Sequence, residues 1–382
     1  PVELSEFDIH PERGFLPAQD PLISLPPKLA FIDEYARALP GLIRESRVNR
    51  ELATLRPLKS EQYMLMAERE VRMAAFRNYC FFASACALSP KTAPEGELPG
   101  GVAIPLYLLG WWLNLPPILQ YYPYALYNWK RKDPAGPIVV ENLQTIVNFV
   151  DIPDEPGFIL PHVEINAKAA PAIRSALPLM EAIQRNDAEL AESYLWEIGY
   201  SVRAMVETLP KIRKYCDPAV YYKEVRPYIQ KFNGVIYRGV KAFRNEPQNF
   251  NGESGAQDSN LKALDALLGV SYNTVGNEEL ARFITFLDAA ENYMPLGHRR
   301  FIRYLCKNSN VREFVISSGH AGTKEAYNFC LERIADFRFN HLGLAIDYVH
   351  KPMPQESLGT FGTPFMKWLN WLRDETLAHR IA

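Results

Sequence analysis

The chain has 382 residues, of which 48% are hydrophobic and 23% are charged, and its formal net charge at pH 7 is -2. These proportions are those of an ordinary globular protein that is long enough to enclose a buried pocket. Lys and Arg residues are scattered, and the densest run, 130–132, is short. The sequence therefore lacks the basic surface that nucleic-acid binding requires, and we expect no nucleic-acid partner.

Membrane and secreted proteins are also disfavoured. No apolar run reaches the roughly 20 residues of a membrane-spanning helix, since the segment 106–119 is interrupted by Gly110, Asn114 and paired prolines. Residues 1–10 lack the charged-then-apolar pattern of a secretory signal. The five cysteines are scattered without metal-ligand spacing, which favours reduced thiols. We therefore expect a cytoplasmic protein without a membrane partner.

The first third of the sequence predicts a small helical domain that is preceded by an extended arm. Residues 1–27 are rich in proline and turn formers. Apolar residues then recur every three or four positions, which predicts helices at 28–39, 41–54 and 59–87. A loop at 89–101 separates these helices from an aromatic-rich stretch at 104–129. The segment Asp-Pro-Ala-Gly-Pro at 133–137 is typical of a connection, so we place the domain boundary after residue 136.

The remainder, 137–382, predicts a larger helical domain without convincing alternating strands. The predicted helices lie at 139–149, 158–175, 178–186, 188–209, 218–231, 258–269, 277–292, 297–307, 310–317, 322–350 and 363–378. Long glycine-containing loops are expected at about 233–257 and 351–362, and loops of that length are often functional. The predicted fold class is all-α, with a smaller N-terminal domain (1–136) packed on a larger C-terminal domain (137–382).

The segment 322–350 contains the histidine that is best suited to hold a metal cofactor. Helical spacing of apolar residues from Tyr327 to Tyr348 places His341 on the buried face. A histidine there is more often a hydrogen-bonded core residue, but haem iron also requires a neutral imidazole in an apolar slot. Arg338 could pair with a haem propionate or with a carboxylate such as Asp265, or it could extend to solvent. Spacing alone leaves these alternatives open.

The sequence around this helix resembles the indoleamine 2,3-dioxygenase family. The resemblance is carried by Ser-Asn-Val-Arg-Glu-Phe-Val at 309–315, Ala-Gly at 321–322, Glu-Ala-Tyr at 325–327, Arg338, His341, Tyr-Met-Pro at 293–295, His-Arg at 298–299, and the segments 264–269, 128–134, 15–17 and 20–22. It covers most of the chain. The resemblance implies a haem b cofactor that is ligated by His341, with Arg338 and Asp265 supporting the haem from its proximal side.

On the substrate side, the resemblance matches Phe158 to a substrate-packing phenylalanine. The i, i+4 spacing would place His162 on the same face if the segment is helical. Mammalian indoleamine dioxygenases have serine where His162 stands, whereas tryptophan 2,3-dioxygenases have a Phe–His pair at this spacing in their distal pocket. His162 could hydrogen-bond an indole N–H or bound oxygen. Because Pro161 precedes it, a solvent-facing histidine at a helix start is the alternative.

The segment 217–226 matches a second substrate-contacting stretch of the family. Arg226 is the candidate for the substrate carboxylate, which a guanidinium can bind through two parallel hydrogen bonds. Tyr221 stands where phenylalanine is usual, and Pro227 disturbs the backbone after Arg226. A surface arginine on an amphipathic helix is the alternative. Tyr121, in the aromatic-rich stretch, is a further substrate-contacting candidate.

Two glycine-containing loops complete the candidate site. The segment 252–259 matches a loop over the haem edge, where small residues permit close approach. Within it, Ser254 is expected to contact a propionate or the substrate, and Gly255 is assigned to the substrate. The segment falls short of a G-x-S-x-G elbow and does not follow a predicted strand, which disfavours a nucleophilic serine. Residues 359–363 resemble a mobile loop in which Thr360 faces the substrate, or they form an ordinary linker.

These residues imply a haem-dependent dioxygenase that uses dioxygen as co-substrate and cleaves the indole C2–C3 bond of L-tryptophan or a related indoleamine. The product would be of the N-formylkynurenine type, and the candidate catalytic residues are His162, Arg226 and Ser254. A haem-dependent monooxygenase or rearrangement enzyme, a non-catalytic haem or indole binder, and a helical interaction protein without haem remain alternatives. The expected partners are a small indole and an unidentified electron donor. We expect a monomer or small homo-oligomer.

Overall fold

The computed structural model describes residues 2–88, 96–352 and 365–382. These residues are mostly helical, which confirms the all-α class. The α-helices of the described residues are α1 (Ala30–Arg44), α2 (Val48–Leu52), α3 (Ser60–Met64), α4 (Arg69–Leu88), α5 (Gly100–Leu113), α6 (Asp154–Gln184), α7 (Ala188–Thr208), α8 (Lys211–Tyr215), α9 (Pro218–Val220), α10 (Ser259–Leu268), α11 (Glu278–Ala290), α12 (Leu296–Asn308), α13 (Val311–Ser318), α14 (Ala321–Ala345) and α15 (Phe365–Ala378). None of them is long and apolar enough to span a membrane.

Short strands and short 3₁₀- and π-helical turns connect these helices. The strands are β1 (Glu97–Leu98), β2 (Trp129–Arg131), β3 (Leu143–Thr145), β4 (Phe232–Tyr237) and β5 (Gln248–Phe250). Strand β4 pairs in parallel with β1 and antiparallel with β5, while β2 and β3 form a separate antiparallel pair. π-Helical turns occur at Tyr122–Leu126, Tyr221–Val225 and Ile346–His350. The last two directly continue α9 and α14.

The N-terminal arm packs on the helical body, as the sequence predicts. The Phe15 ring lies 4.6 Å from the His298 ring of α12, measured between centroids. Asp20 accepts from Arg13 at 2.9 Å and from Arg131 at 2.7 Å, so one carboxylate joins the arm to β2. The arm therefore contributes to the core rather than extending into solvent.

Helix α7 lies at the centre of the molecule and packs against both α6 and α14. Close approach of α7 to α14 depends on Gly199, because a Cβ there would lie 2.4 Å from the Phe329 ring. The Ser201 hydroxyl of α7 donates to the Lys168 carbonyl of α6 at 2.6 Å. These contacts fix α6 and α14, the two helices that carry the candidate histidines.

Helix α6 is longer than the sequence predicts. The predicted helices 158–175 and 178–186 form one helix, Asp154–Gln184, although it contains Pro161, Pro171 and Pro178. Each proline removes one helical hydrogen bond, which favours a break. Most of the surrounding residues are buried, and packing against α7 keeps the helix continuous. Tertiary burial therefore outweighs local propensity here.

Two predictions about secondary structure are wrong. The segment 139–149 is not helical but contains a 3₁₀ turn and β3. Side chains take its backbone donors: Asn128 accepts from Val147 N–H at 2.9 Å, and Glu155 accepts from Phe149 and Val150 N–H. The predicted loop at 233–257 contains most of β4 and all of β5. The alternation of apolar and polar residues in these strands is short and is interrupted by glycine, so it predicts strands only weakly.

The hydrophobic core is continuous across the boundary that we placed after residue 136. One buried cluster includes Phe76 and Tyr124 on the N-terminal side together with Phe149, Leu195 and Tyr327 on the other. A second, small cluster joins α11 to α15. The division into domains 1–136 and 137–382 stays a prediction.

We expect His298 to make the folded state sensitive to acid. Its ring is buried, Nδ1 lies 3.0 Å from the Ser259 hydroxyl, and burial lowers its pKa to about 3. The unfolded chain binds a proton near pH 6.5, so stability is present above that pH and is lost as the pH falls towards 3. Lowering the pH from 7 to 4.5 should reduce the free energy of unfolding of the wild type. In His298→Gln, this reduction should be smaller by about 2 kcal/mol.

Urea unfolding at the two pH values measures this difference. His10→Gln is the matched control, because His10 lies in the arm and is only half-buried. It should keep the wild-type dependence on pH. An equal loss of stability in the wild type and His298→Gln would contradict the prediction.

Candidate active site

A cavity lies among α6, α10, α11, α14 and α15. Its walls are largely apolar, with Leu261 from α10, Leu287 from α11, Leu344 from α14 and Leu369 from α15. The turn between β5 and α10 and the π-helical turns after α9 and α14 also contribute residues. Aromatic and aliphatic side chains thus surround the few polar groups that face this space, as is usual in small-molecule sites.

His341 lies near the end of α14 and lines this cavity. Burial, together with a smaller effect of the nearby His162, lowers its pKa to about 4, so the imidazole is neutral at pH 7. Its ring nitrogens form no hydrogen bond with any residue that the structure describes. A Cβ on Gly255 would lie 3.8 Å from His341 Nε2, so the 254–256 turn passes close to this atom. His341 therefore presents a neutral nitrogen beside a glycine.

Arg338 anchors the same helix from one turn earlier. Its guanidinium donates to Asp265 at 2.5 Å and to the Tyr272 hydroxyl at 2.8 Å. It also donates to the Leu372 carbonyl at 3.3 Å and to the Thr376 hydroxyl. Of the alternatives that the sequence left open for Arg338, the structure shows the pairing with Asp265. The network joins α14 to α10 and α15 around one end of the cavity.

His162 faces the cavity from α6. It lies well inside the helix rather than at its start, and its ring is 4.9 Å from Phe158 between centroids, so the predicted common face is confirmed. Nδ1 lies 2.8 Å from the Phe158 carbonyl, which can only accept, so Nδ1 carries the proton. Burial lowers the pKa to about 4. The neutral ring therefore keeps a lone pair on Nε2.

A network of polar side chains lies next to His162. The Tyr121 ring lies edge-on to His162, with 5.8 Å between centroids. Asn166 Nδ2 lies 3.2 Å from the Tyr121 hydroxyl and 2.8 Å from Asp258 Oδ2. Asp258 also accepts from Asn260 N–H at 2.8 Å, at the start of α10. Tyr121 thus contacts His162 without being one of the residues that line the cavity.

The other candidate residues divide into three groups. Tyr221 lines the cavity and packs on Phe158 at 4.3 Å between centroids, and Ser254 also lines it, with its hydroxyl accepting from Ala256 N–H. Arg226 is buried, and its guanidinium lies over the Tyr222 ring at 5.0 Å, outside the set of lining residues. Thr360 lies outside the described residues.

The sequence analysis missed several polar residues of the cavity, among them Glu253 and Tyr348. Glu253 is buried and lines it, and burial raises its pKa to about 8. The sequence feature that could have identified Glu253 is an acidic residue within a loop of small residues, 252–256. Tyr348 also lines the cavity, and its hydroxyl donates to the Cys216 carbonyl at 2.6 Å. Nothing local in the sequence indicates this long-range bond.

These residues fit a haem group. Haem iron takes a neutral imidazole nitrogen as its axial ligand and is held in a largely apolar cleft. His341 supplies such a nitrogen in such a cleft. The Arg338–Asp265 pair holds the helix that carries His341.

Comparisons with known proteins show the family to which the chain belongs. The model of the family "Indoleamine 2,3-dioxygenase" matches residues 3–359. Indoleamine 2,3-dioxygenase 1 of Rattus norvegicus is 32% identical over 396 residues, covering 98% of this chain and 94% of the rat protein. Indoleamine 2,3-dioxygenase 2 of Mus musculus is 29% identical and covers 99% and 95%. The indoleamine 2,3-dioxygenase of Saccharomyces cerevisiae is 27% identical and covers 98% and 93%. The chain therefore belongs to the indoleamine 2,3-dioxygenase family of haem-dependent dioxygenases.

Proposed function

We propose that this protein cleaves the indole C2–C3 bond of L-tryptophan or a related indoleamine and releases a product of the N-formylkynurenine type. His341 would hold the haem iron, and Arg338 and Asp265 would fix the helix that presents it. When bound, ferrous haem supplies the activation of dioxygen. The observation that carries the proposal is that a single apolar cavity contains both the neutral His341 and the proton-free Nε2 of His162.

His162 is suited to orient the indole. Because Nδ1–H is bound to the Phe158 carbonyl, Nε2 is an acceptor, and an indole N–H is a donor. A hydrogen bond between them would fix the rotation of the ring within the cavity. The low pKa keeps this acceptor free of a proton at neutral pH. His162 in this scheme positions the substrate and transfers no proton.

Aromatic packing supplies the rest of the indole site in this proposal. The Phe158 and Tyr221 rings, 4.3 Å apart, form one wall against which an indole can pack. Arg226 is proposed for the substrate carboxylate, which it can reach if the Tyr221 side chain shifts as the substrate binds. Ser254, Gly255 and Thr360 are proposed to contact the substrate or haem edge. Fixing a flat substrate in one orientation accounts for a large share of catalysis.

Product analysis tests the proposal. The haem-loaded protein is reduced, supplied with L-tryptophan and air, and the product mass is followed together with the Soret band. Formation of N-formylkynurenine, with two oxygen atoms added, is the expected result. A product with one added oxygen would replace the proposal with a monooxygenase, and ligand-induced spectral shifts without turnover would indicate a binding protein.

The role of His162 predicts a specific interaction between a variant and a substrate. In the wild type, replacing L-tryptophan by 1-methyl-L-tryptophan removes the N–H donor, and kcat/KM should fall by about tenfold. In His162→Ala, the same change of substrate should have less than about a threefold effect, because the acceptor is already absent. His298→Gln, which alters a buried histidine outside the cavity, should keep the wild-type ratio. Equal ratios in the wild type and His162→Ala would refute the hydrogen bond.

A further inference from the structure

Glu253 differs from the other acidic residues that line the cavity because its carboxylate has no hydrogen-bond or ion-pair partner among the described residues. The residue lies between β5 and α10, is 6% exposed and lines the cavity. Its backbone N–H donates to the Ile229 carbonyl at 3.2 Å, but its side chain forms no hydrogen bond or ion pair with any residue that the structure describes. The exposure that it retains is therefore towards the cavity.

Every other buried carboxylate among the described residues has at least one protein partner. Their partners are Leu25 N–H and Asn78 for Asp33, the Phe149 and Val150 N–H groups for Glu155, Val140 N–H and Lys211 for Glu164, and Arg338 and Tyr272 for Asp265. A buried ionised carboxylate without a partner is costly, so a protein normally pairs it. Glu253 therefore leaves room for a partner that the described residues do not supply.

The backbone around Glu253 is fixed, so its orientation is a property of the fold. Gln257 Nε2 donates to the Gly252 carbonyl at 2.8 Å, closing the turn. A Cβ on Gly252 would lie 2.5 Å from the Gln230 and Ile229 carbonyl oxygens, so only glycine permits this close approach. The turn therefore holds Glu253 against the cavity.

An acidic and a basic side chain lie close to Tyr221. Burial raises the pKa of its hydroxyl above the usual value, the Glu253 carboxylate raises it further, and the Arg226 guanidinium lowers it. Both groups are therefore within electrostatic reach of the ring that forms a wall of the cavity. An acid and a guanidinium beside one aromatic wall are complementary to the two charged ends of an amino acid.

We propose that Glu253 binds the protonated amine of the substrate and makes the site selective for indoles that carry an ammonium group. The inference rests on the proposed function, because it requires an indole in this cavity. A charge-assisted hydrogen bond between an ammonium and a buried carboxylate is stronger than one between neutral groups. An indole without the amine would leave the Glu253 carboxylate unsatisfied, which gives the site its discrimination.

Calorimetric titration of the haem-loaded ferric protein tests this inference without turnover. In Glu253→Gln, the Kd of L-tryptophan should rise by about tenfold or more, while the Kd of indole-3-propionate should change by less than about threefold. Asp288→Asn is the matched control: Asp288 also borders the cavity, but it is exposed and already paired with Lys262 at 3.1 Å. It should leave both Kd values unchanged. The wild type alone should also bind tryptamine about tenfold more tightly than the neutral 3-propylindole.

The outcomes separate this inference from the proposed function. Equal effects of Glu253→Gln on L-tryptophan and indole-3-propionate, or no preference of the wild type for tryptamine, would overturn the role of Glu253 even if N-formylkynurenine is formed. Selective weakening of the amine-bearing ligands in a protein that forms no such product would support Glu253 and overturn only the proposed reaction. Failure of the wild type to bind any of the four ligands would overturn both.

Discussion

His341→Ala should abolish haem retention and reduce dioxygenase turnover to the background rate. The cavity that contains His341 offers a neutral imidazole nitrogen beside Gly255, and an alanine methyl cannot replace it as an iron ligand. The measurement is the ratio of Soret to protein absorbance after gel filtration, followed by an assay with L-tryptophan. The ratio should fall by at least about tenfold.

Two further variants make this result specific. His298→Gln, which changes another buried histidine with a lowered pKa, should keep the haem. His341→Gly leaves space for free imidazole, and adding imidazole should restore part of the Soret band. Full haem retention and turnover by His341→Ala would show that the ligand lies elsewhere.

Breaking the Arg338–Asp265 pair should produce the largest loss of stability. The two side chains are only 5% and 11% exposed, and their charged atoms lie 2.5 Å apart. Arg338→Met or Asp265→Leu would each leave an uncompensated buried charge, at a cost of about 3–5 kcal/mol in the free energy of unfolding. Urea denaturation of the haem-loaded protein measures this cost.

The double variant tests whether the pair itself is responsible. Arg338→Met combined with Asp265→Leu removes both charges, so its loss of stability should be clearly smaller than the sum of the two single losses. Arg373→Met is a control, because Arg373 forms its ion pair with the exposed Asp374 at the surface. Its effect should stay within about 1 kcal/mol. Additive single losses would contradict the coupling.

The parts of the site that could be predicted from the sequence depend on local periodicity. Helical spacing brings Phe158 and His162 together, and it places His341 on a buried face with Arg338 one turn earlier. The resemblance to a family supplied Asp265, which lies 73 residues from Arg338 in sequence and which periodicity alone could not identify. Local patterns thus identify which residues share a face, but not their distant partners.

The remaining features depend on contacts between distant segments. Glu155 accepts a hydrogen bond from Phe149 N–H, which a helix at 139–149 would have used within its own backbone. Packing against α7 keeps α6 continuous despite its three prolines. Glu253 stands in a loop that reads as polar and exposed, yet contacts with Ile229 and Gln230 bury it at the cavity. Glu253 is distinguished from the other buried carboxylates by its lack of a partner among the described residues, which the sequence cannot show.

We propose that both atoms of one dioxygen molecule are inserted into an indole that is bound in this cavity. The most direct measurement is a single turnover of the ferrous protein with L-tryptophan and a mixture of unlabelled and fully oxygen-labelled dioxygen. We predict that the product carries either two unlabelled or two labelled oxygen atoms, with few mixed molecules. A product with one oxygen from dioxygen and the other from water would contradict the dioxygenase account.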